Sequence, residues 1–265
     1  MNVKKLILLF LVLMIIPVSS FAQKWKLRRY EANFSIGTSH FYGDIGGTAD
    51  LNNAAGFKDI QLQFTRPSLG FGARYKLAGD MAVKLNLIYG FIAGNDDGSR
   101  NDGRNYSFTS TIFEPSFQFE YYIIPESRSI SSAALFNRRG MVNNYSKIYV
   151  YAFGGIGGVI GNPKLKDGAG NDITPENMGK VGLAFPIGAG LKYTIDSKWS
   201  IGLELGRRFT TTDYLDGKYT YESGGQILDS KHNDLYDFGM LSAIYKIQTN
   251  RRGLPILGNA RKYRR

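Results

Sequence analysis

The sequence predicts an all-β protein, an eight-stranded antiparallel up-and-down transmembrane β-barrel with long external loops. Eight segments of about 8–15 residues alternate apolar side chains with polar or small ones, a length that suits tilted strands crossing an apolar layer about 25 Å tall. The connections between these segments are short and long in turn. Glycine and aromatic residues are abundant, with 32 Gly, 17 Tyr and 17 Phe among 265 residues.

The N-terminus is predicted to be an export signal rather than part of the fold. Lys4 and Lys5 precede a 13-residue apolar run over residues 6–18, which is too short to span a bilayer as a helix. Ser20-Phe21-Ala22 then fits a signal-peptidase site. The expected domains are a signal peptide at residues 1–22, a basic N-terminal arm at 23–29, an outer-membrane barrel at 30–248 and a basic periplasmic tail at 249–265.

The eight segments differ in how clearly they alternate. In the first, Tyr30, Ala32, Phe34 and Ile36 alternate with polar or small residues. The facing of the fifth and eighth segments is ambiguous, because the fifth is rich in glycine and the eighth is apolar almost throughout. The segments cover, in order, residues 30–37, 69–76, 81–91, 113–123, 147–161, 181–195, 199–206 and 234–248.

The connections also follow the pattern of outer-membrane barrels, which have short periplasmic turns and long external loops. Ala78-Gly79-Asp80 and Asp196-Ser197-Lys198 are predicted to be hairpin turns. An exception is the 22-residue link 125–146, which stands where a short turn is expected; we expect it to hold either a short helix or a docking element. The long polar links are residues 43–67, 95–106, 162–178 and 213–233.

The composition of the two strand faces favours a membrane barrel over a soluble barrel or β-sandwich. A soluble barrel would place its apolar side chains inside, but here the apolar set is bulky and the other set is small, polar or charged. The predicted inward set contains nearly balanced charges, which indicates an ion-paired plug rather than an open pore. These inward residues are Arg74, Lys76, Lys84, Lys192, Arg208, Glu31, Glu114, Glu120 and Glu204.

Charge is sorted between the two predicted ends of the barrel. The N-terminal arm, the link 125–146 and the tail carry net charges of +4, +2 and +6, whereas the four long loops together carry −5. The alternative is a non-specific solvated bias, but the sorting favours a basic periplasmic face that docks an acidic partner. We expect no nucleic acid partner for an exported barrel. The candidate docking residues are Arg28, Arg29, Arg138, Arg139, Arg251, Arg252, Arg261 and Arg264.

The sequence gives little support for catalysis, and we expect no enzyme activity, cofactor, metal or small-molecule substrate. The chain has no cysteine, which excludes thiolate chemistry, and its two histidines are His40 and His232. Ser39 and Asp44 lie near His40 in sequence, but no G-x-S-x-G motif occurs. The oxygen-rich stretch at residues 95–103 could bind Ca²⁺, although its spacing differs from that of an EF-hand and favours a solvated turn.

A short motif resembles a known group of proteins. Gly37 and the following Phe41-Tyr42-Gly43-Asp44-Ile45-Gly46 resemble the "G…YGDIG" start of Bacteroidetes outer-membrane barrels of the PorG-like kind. The resemblance implies a component of the type IX secretion system that associates with the periplasmic ring subunits PorK and PorN. It implies no catalytic residues. The 22-residue link and the long basic tail depart from what we can place in the family pattern.

The function expected from these observations is non-enzymatic. The barrel would contact outer-membrane lipid and would anchor and position a periplasmic protein-transport assembly. One alternative is a surface adhesion or envelope-stability barrel that binds through its external loops. Another is a surface hydrolase that uses His40 or His232.

Overall fold

The computed structural model describes residues 28–43, 45, 62–97, 99, 103, 105–124, 147–175, 181–217, 220–223, 226–229, 233–250 and 254–256. The predicted signal peptide, most of the N-terminal arm, the link 125–146 and most of the tail lie outside these residues. No helix in the described part of the chain is long and apolar enough to cross a membrane.

The described residues form ten β-strands and a short 3₁₀ turn at Leu62–Phe64. The strands are β1 (Tyr30–Tyr42), β2 (Arg66–Lys76), β3 (Met81–Asn95), β4 (Ser107–Ile124), β5 (Ile148–Lys166), β6 (Val181–Thr194), β7 (Trp199–Thr210), β8 (Thr220–Ser223), β9 (Gln226–Asp229) and β10 (Leu235–Ile247).

Eight of these strands close into one barrel, which confirms the predicted fold class. Each strand pairs antiparallel with the next strand of the ring, in the order β1-β10-β7-β6-β5-β4-β3-β2. The ring closes at β1, where Tyr30 is opposite Ile247 of β10 on one side and Tyr75 of β2 on the other. Closure leaves no unpaired strand edge within the barrel wall, as a membrane interior requires.

The two ends of the barrel differ in their connections. At the short-turn end, β1 begins, β10 ends, and residues 77–80 and 195–198 connect neighbouring strands as predicted. In the first turn the Leu77 amide donates to the Met81 carbonyl at 2.9 Å, and in the second the Ile195 amide donates to the Trp199 carbonyl at 3.1 Å. The opposite end, where the long connections lie, is called the long-loop end below.

Regular structure extends further at the long-loop end than the sequence predicted. The hairpin of β4 and β5 remains paired as far as Ser107 and Lys166, several residues into the predicted loop 162–178. The predicted loop 213–233 contains a separate two-stranded sheet, β8–β9, in which Thr220 is opposite Asp229. The alternation of apolar and polar residues did not indicate either feature, because neither has to fit the apolar layer of a membrane.

The structure resolves the facing of the two ambiguous segments. In β5, the odd-numbered residues point inward, beginning with Tyr149, Tyr151 and Phe153. In β10, which is the predicted eighth segment, the even-numbered residues from Tyr236 to Lys246 point inward. The glycine run at residues 154–158 lies inside β5, as predicted.

The outer wall is apolar on all eight barrel strands. Leu85, Phe117, Leu183 and Leu203 are 54%, 51%, 49% and 44% exposed, which confirms that the bulky set faces outward. Near the short-turn end, outward aromatic residues contact one another in pairs, with ring centroids 4.9 Å apart for Trp199 and Tyr245. Such an apolar wall bordered by Tyr and Trp is typical of a barrel that spans a membrane.

Candidate functional site

The interior of the barrel is divided into an ionic layer near the short-turn end and an apolar layer near the long-loop end. All nine charged residues that were predicted to point inward are buried, which confirms that part of the prediction. A tenth charged residue of the barrel strands, Lys246 of β10, is also buried and donates from Nζ to Thr194 Oγ1 at 3.0 Å. The sequence did not identify Lys246 because the facing of the eighth segment was ambiguous.

Arg74 of β2 is the centre of the ionic layer. Its guanidinium contacts carboxylates from three other strands: Nη1 lies 3.0 Å from Glu31 Oε2, Nε 2.7 Å from Glu120 Oε2 and Nη2 3.2 Å from Glu204 Oε1. The ring of Tyr151 lies 5.4 Å from the guanidinium carbon. The planar fork of arginine suits this role, because it offers donors in several fixed directions at once.

Three lysines complete the ion pairs of this layer. Lys76 Nζ and Lys192 Nζ lie 2.9 Å and 2.5 Å from Glu31 Oε1, so that Glu31 contacts three cations when Arg74 is included. Lys84 Nζ lies 2.6 Å from Glu204 Oε2. The Tyr151 hydroxyl donates to Glu204 Oε1 at 2.6 Å. The layer therefore links β1, β2, β3, β4, β5, β6 and β7, and the predicted ion-paired plug is confirmed.

Two glycines make room for the aromatic residues in this layer. A Cβ at Gly190 of β6 would overlap the ring of Tyr151. A Cβ at Gly206 of β7 would lie 2.7 Å from Phe153 Cζ. Glycine at these inward positions therefore lets the large rings of β5 cross the narrow interior.

The layer near the long-loop end is mainly apolar, which the sequence did not predict. It also contains an ionic group, in which Arg208 Nε lies 3.4 Å from Glu114 Oε2 and the Tyr236 hydroxyl donates to the same oxygen at 2.7 Å. Three aspartates beside the ends of the strands, Asp96, Asp216 and Asp234, are buried as well. Side chains filling both layers are expected of an eight-stranded ring and argue against a diffusion pore. The buried apolar residues include Ile88, Ile92, Phe108, Ile112, Val159, Leu165, Leu215, Phe238 and Met240.

Of the predicted docking residues, the structure describes only Arg28 and Arg29. Arg29 Nη1 donates to the Tyr75 hydroxyl at 3.0 Å, and its carbonyl accepts the Lys76 amide at 2.9 Å, so this residue lies against the barrel at the short-turn end. Arg138, Arg139, Arg251, Arg252, Arg261 and Arg264 lie outside the described residues.

The described part of the tail folds back on itself at the short-turn end. The Asn250 amide donates to the Leu254 carbonyl at 2.9 Å, and the Ile256 amide donates to the Gln248 carbonyl at 2.8 Å. Leu254 is 57% exposed. An apolar side chain is thus available next to the basic sequence of the tail.

The two described residues that were considered for catalysis, Ser39 and His40, point to opposite faces of β1. Ser39 points into the barrel, where its hydroxyl donates to the carbonyls of Arg66 and Phe91. His40 points outward on the next position of β1, with Nδ1 3.4 Å from Thr65 Oγ1. His232 and Asp44 lie outside the described residues. In the described ranges, no group of three or more His, Asp or Glu side chains could hold a metal ion.

Among the described residues, the outer wall also holds an ion pair that the sequence did not identify. Arg207 of β7 donates from Nε to Asp237 Oδ1 and from Nη2 to Asp237 Oδ2, both at 2.8 Å. The Arg207 guanidinium carbon lies 4.8 Å from the centre of the Tyr42 ring. The strand register could have indicated this pair only after β10 was aligned with β7.

Comparison with known proteins identifies one matching family. The model of the family described as "Domain of unknown function (DUF6089)" matches residues 4–250. No curated protein matches the chain.

Among solved structures, the chain is similar to several outer-membrane barrels. It is 13% identical to Ail, the attachment invasion locus protein of Yersinia pestis, with 82% of this chain and 98% of that chain covered and a TM-score of 0.40. Neisserial surface protein A is 9% identical, with 82% of this chain and 96% of that chain covered and a TM-score of 0.38. The N-terminal β-barrel domain of Pseudomonas aeruginosa OprF is 13% identical, with 82% of this chain and 97% of that chain covered and a TM-score of 0.36.

Proposed function

The chain belongs to the DUF6089 family, whose function is unknown, and we propose that this member is a non-enzymatic outer-membrane barrel that anchors and positions a periplasmic protein-secretion assembly. In this proposal the short-turn end faces the periplasm, as it does in outer-membrane barrels generally. The N-terminal arm and the C-terminal tail are then periplasmic, and the long loops are external.

The observation that carries this proposal is the sorting of charge between the ends. The strand order supports placing the start of β1, the end of β10 and both ends of the link 125–146 at the short-turn end. The arm, the link and the tail carry +12 in total, whereas the four long loops carry −5. A basic face of this kind attracts an acidic protein surface and orients it before contact.

The contents of the barrel support an anchoring role over transport through its interior. Ion pairs and the Tyr151 hydrogen bond join seven strands in one layer, and apolar side chains fill most of the other. A rigid, filled barrel suits a membrane anchor whose contacts are made at one end. This leaves the arm, the link and the tail as the candidate docking elements.

The assembly that we propose is the type IX secretion system, with periplasmic ring proteins resembling PorK and PorN as partners. Support comes from the resemblance of residues 37–46 to the start of the PorG-like barrels. The two ring proteins would present acidic surfaces to Arg28, Arg29, Arg138, Arg139, Arg251, Arg252, Arg261 and Arg264.

A charge-reversal experiment tests this proposal. Arg251, Arg252, Arg261 and Arg264 are changed together to Glu, and partners are identified by mass spectrometry after purification from detergent-solubilised outer membranes. We expect the co-purifying periplasmic partner to be lost, because the tail then repels an acidic surface. A matched control reverses four basic residues of the long loops, Lys58, Arg100, Arg104 and Lys231, and should retain the partner. Unchanged co-purification with the tail variant would refute the docking role.

A second candidate function is surface binding through the external loops, as in an adhesion or envelope-stability protein. One observation favours it: the long loop between β7 and β10 contains the additional hairpin β8–β9, so that this loop has a folded element of its own. Deleting residues 218–230 while leaving the tail intact distinguishes the two candidates. If the external loops carry the function, the loop deletion should abolish adhesion or weaken the envelope. Removing residues 257–265 should then have no effect.

A further inference from the structure

The apolar outer wall differs in height around the barrel. On β7, the outward residues are apolar from Trp199 to Leu205, and the next outward residue is Arg207. On β6, the outward residues are apolar from Tyr193 to Val181, which is twice as far along the strand. Tilted strands rise by about 2.5 Å per residue along the barrel axis, so the unbroken apolar wall is about 15 Å tall on β7 and about 30 Å tall on β6.

The low part of the wall covers three neighbouring strands. The unbroken series of apolar outward residues ends at Ile36 on β1 and at Leu241 on β10. These two residues are opposite each other, and Leu241 is opposite Leu203 of β7. On β3, by contrast, the apolar outward residues continue as far as Phe91. The apolar wall is therefore low on β1, β10 and β7 and high on β3 and β6.

Three polar residues, which we call the polar row, lie on the long-loop side of the low wall. His40 of β1 is opposite Asp237 of β10, which is opposite Arg207 of β7. Arg207 and Asp237 form the ion pair described above, and their side chains are 28% and 19% exposed. Arg207 lies eight residues beyond Trp199, which places it about 20 Å along the barrel axis, inside a layer that is usually about 25 Å tall.

The polar row is poorly suited to contact with lipid tails, because hydrocarbon does not solvate charged groups. A long basic side chain can extend toward the headgroups, but the side chain of Asp237 is short. The ion pair joins one cation to one anion, so it requires a polar medium rather than a partner of opposite charge. Lipid headgroups and the water between them provide such a medium. Phe209, two residues beyond Arg207, is 43% exposed at a level where aromatic residues commonly border a membrane.

We propose that the polar row contacts lipid headgroups, and that the membrane is thinner beside β1, β10 and β7 than beside β3 and β6. The leaflet at the long-loop end supplies these headgroups, since the row lies on that side of the apolar residues. A bilayer accommodates a short apolar surface by thinning locally. The thinning requires only a barrel in a membrane, and it does not depend on the proposed docking function.

Spin labels at two matched positions test the proposal in vesicles of dioleoylphosphatidylcholine. Thr38 lies eight residues beyond Tyr30 on β1, and Tyr89 lies eight residues beyond Met81 on β3, so these two outward positions have similar heights. Each is changed to cysteine in a separate variant. Collisions of the label with oxygen and with a water-soluble nickel chelate are measured by electron paramagnetic resonance. We expect the oxygen-to-nickel collision ratio to be severalfold lower at position 38, because water reaches this position in a thinned membrane.

Two results of this measurement would overturn the proposal. Similar high oxygen-to-nickel ratios at positions 38 and 89 would show that both labels face lipid tails. Exclusion of both reagents from position 38 would show that a second copy of the chain covers the polar row. Heat-modifiable gel migration shows whether each labelled variant forms a barrel.

A second test removes the ion pair. In the R207L/D237L variant, leucines extend the apolar surface of β7 and β10 toward the long-loop end. We expect the oxygen-to-nickel ratio at position 38 to rise to the value at position 89, which serves as the control and should not change. An unchanged ratio at position 38 in a folded variant would contradict the proposal. If the double variant does not fold, the comparison of the two labels in the unmodified wall decides the question.

Discussion

In the ionic layer, Arg74 forms ion pairs with three other strands. Arg74 touches three carboxylates, and each of these is buried with at least one other cation or hydroxyl nearby. Removing one partner from a buried ion pair costs more than the pair contributes, because the remaining charge has lost its compensation. The consequence should therefore be measurable as a change in the free energy of unfolding.

Replacing Arg74 with Met should lower the free energy of unfolding by about 3–5 kcal/mol. Methionine keeps much of the side-chain length but leaves Glu120 and Glu31 without their guanidinium contacts. The measurement is urea unfolding of the barrel in lipid vesicles.

Arg66→Met provides the control for this change. Arg66 is an arginine of the same strand whose Nη1 donates to the carbonyls of Gln63 and Thr65 at the long-loop end. Its replacement should cost less than about 1 kcal/mol, as is usual for a surface position. Equal losses in the two variants would show that the ionic layer does not stabilise the barrel.

Among the structural elements, the turn between β6 and β7 shows most clearly how local sequence sets the structure. Asp196 Oδ1 accepts the amides of Lys198 and Trp199 at 2.6 Å and 2.7 Å. These backbone hydrogen bonds hold the pKa of Asp196 below its ordinary value. An ionised aspartate at the start of a tight turn accepts hydrogen bonds from the amides two and three residues later. Aspartate at this position could therefore be recognised as a turn signal in the sequence.

This lowered pKa leads to a prediction about pH. Because the folded state favours the ionised form, Asp196 stabilises the barrel above the ordinary aspartate pKa of about 4, and this stabilisation is lost as pH falls through the lowered pKa. Asp196→Asn should therefore be less stable than the wild type at pH 7, and the difference should shrink in acid. Unfolding midpoints from pH 7 to pH 2 measure it, with Ser197→Ala as a control that should give a pH-independent difference. A difference that grew in acid would contradict the assignment.

The strands that the sequence predicted well are those with an apolar outward face and a small or polar inward face. In β7, for example, alternation from Trp199 to Leu205 correctly predicted the facing of Glu204 and, by extension, Arg208. In β10, apolar residues occur on both faces, for example Phe238 and Ile244 inside and Leu241 outside. The alternation of apolar and polar residues therefore disappears. The facing of β10 is set by its neighbours β1 and β7, which no local pattern records.

The candidate site was predicted in composition but not in arrangement. Strand alternation was enough to place Glu31, Arg74 and Glu204 inside, but it could not show that Arg74 contacts both of the others. That contact depends on register across strands that are far apart in sequence. The β8–β9 hairpin was missed for a different reason, because outside the membrane a short hairpin need not have one apolar face.

At the scale of the whole molecule, the account depends on the outer wall facing lipid. Leu203 of β7 is four residues beyond Trp199, which places it about 10 Å above the aromatic residues at the short-turn end if the strands tilt as in other barrels. It should therefore lie well inside the apolar layer.

Leu203→Arg should lower the free energy of unfolding in lipid vesicles by about 2–4 kcal/mol, because a charge at this depth is poorly solvated. Ile173→Arg is the matched control: Ile173 is 41% exposed and Leu203 is 44% exposed, but Ile173 lies in the loop after β5. The control should change stability by no more than about 0.5 kcal/mol. Similar effects of the two substitutions would indicate that both side chains face water.

The central claim, that apolar side chains face lipid while polar ones face the barrel axis, is tested most directly by spin labelling. The chain has no cysteine, so single cysteines at successive positions from Ser200 to Leu205 can each carry one label. Collision rates with oxygen, which concentrates in lipid, are measured by electron paramagnetic resonance in vesicles. We predict high oxygen accessibility at 201, 203 and 205 and low accessibility at 200, 202 and 204. The reverse alternation, or none, would contradict the account.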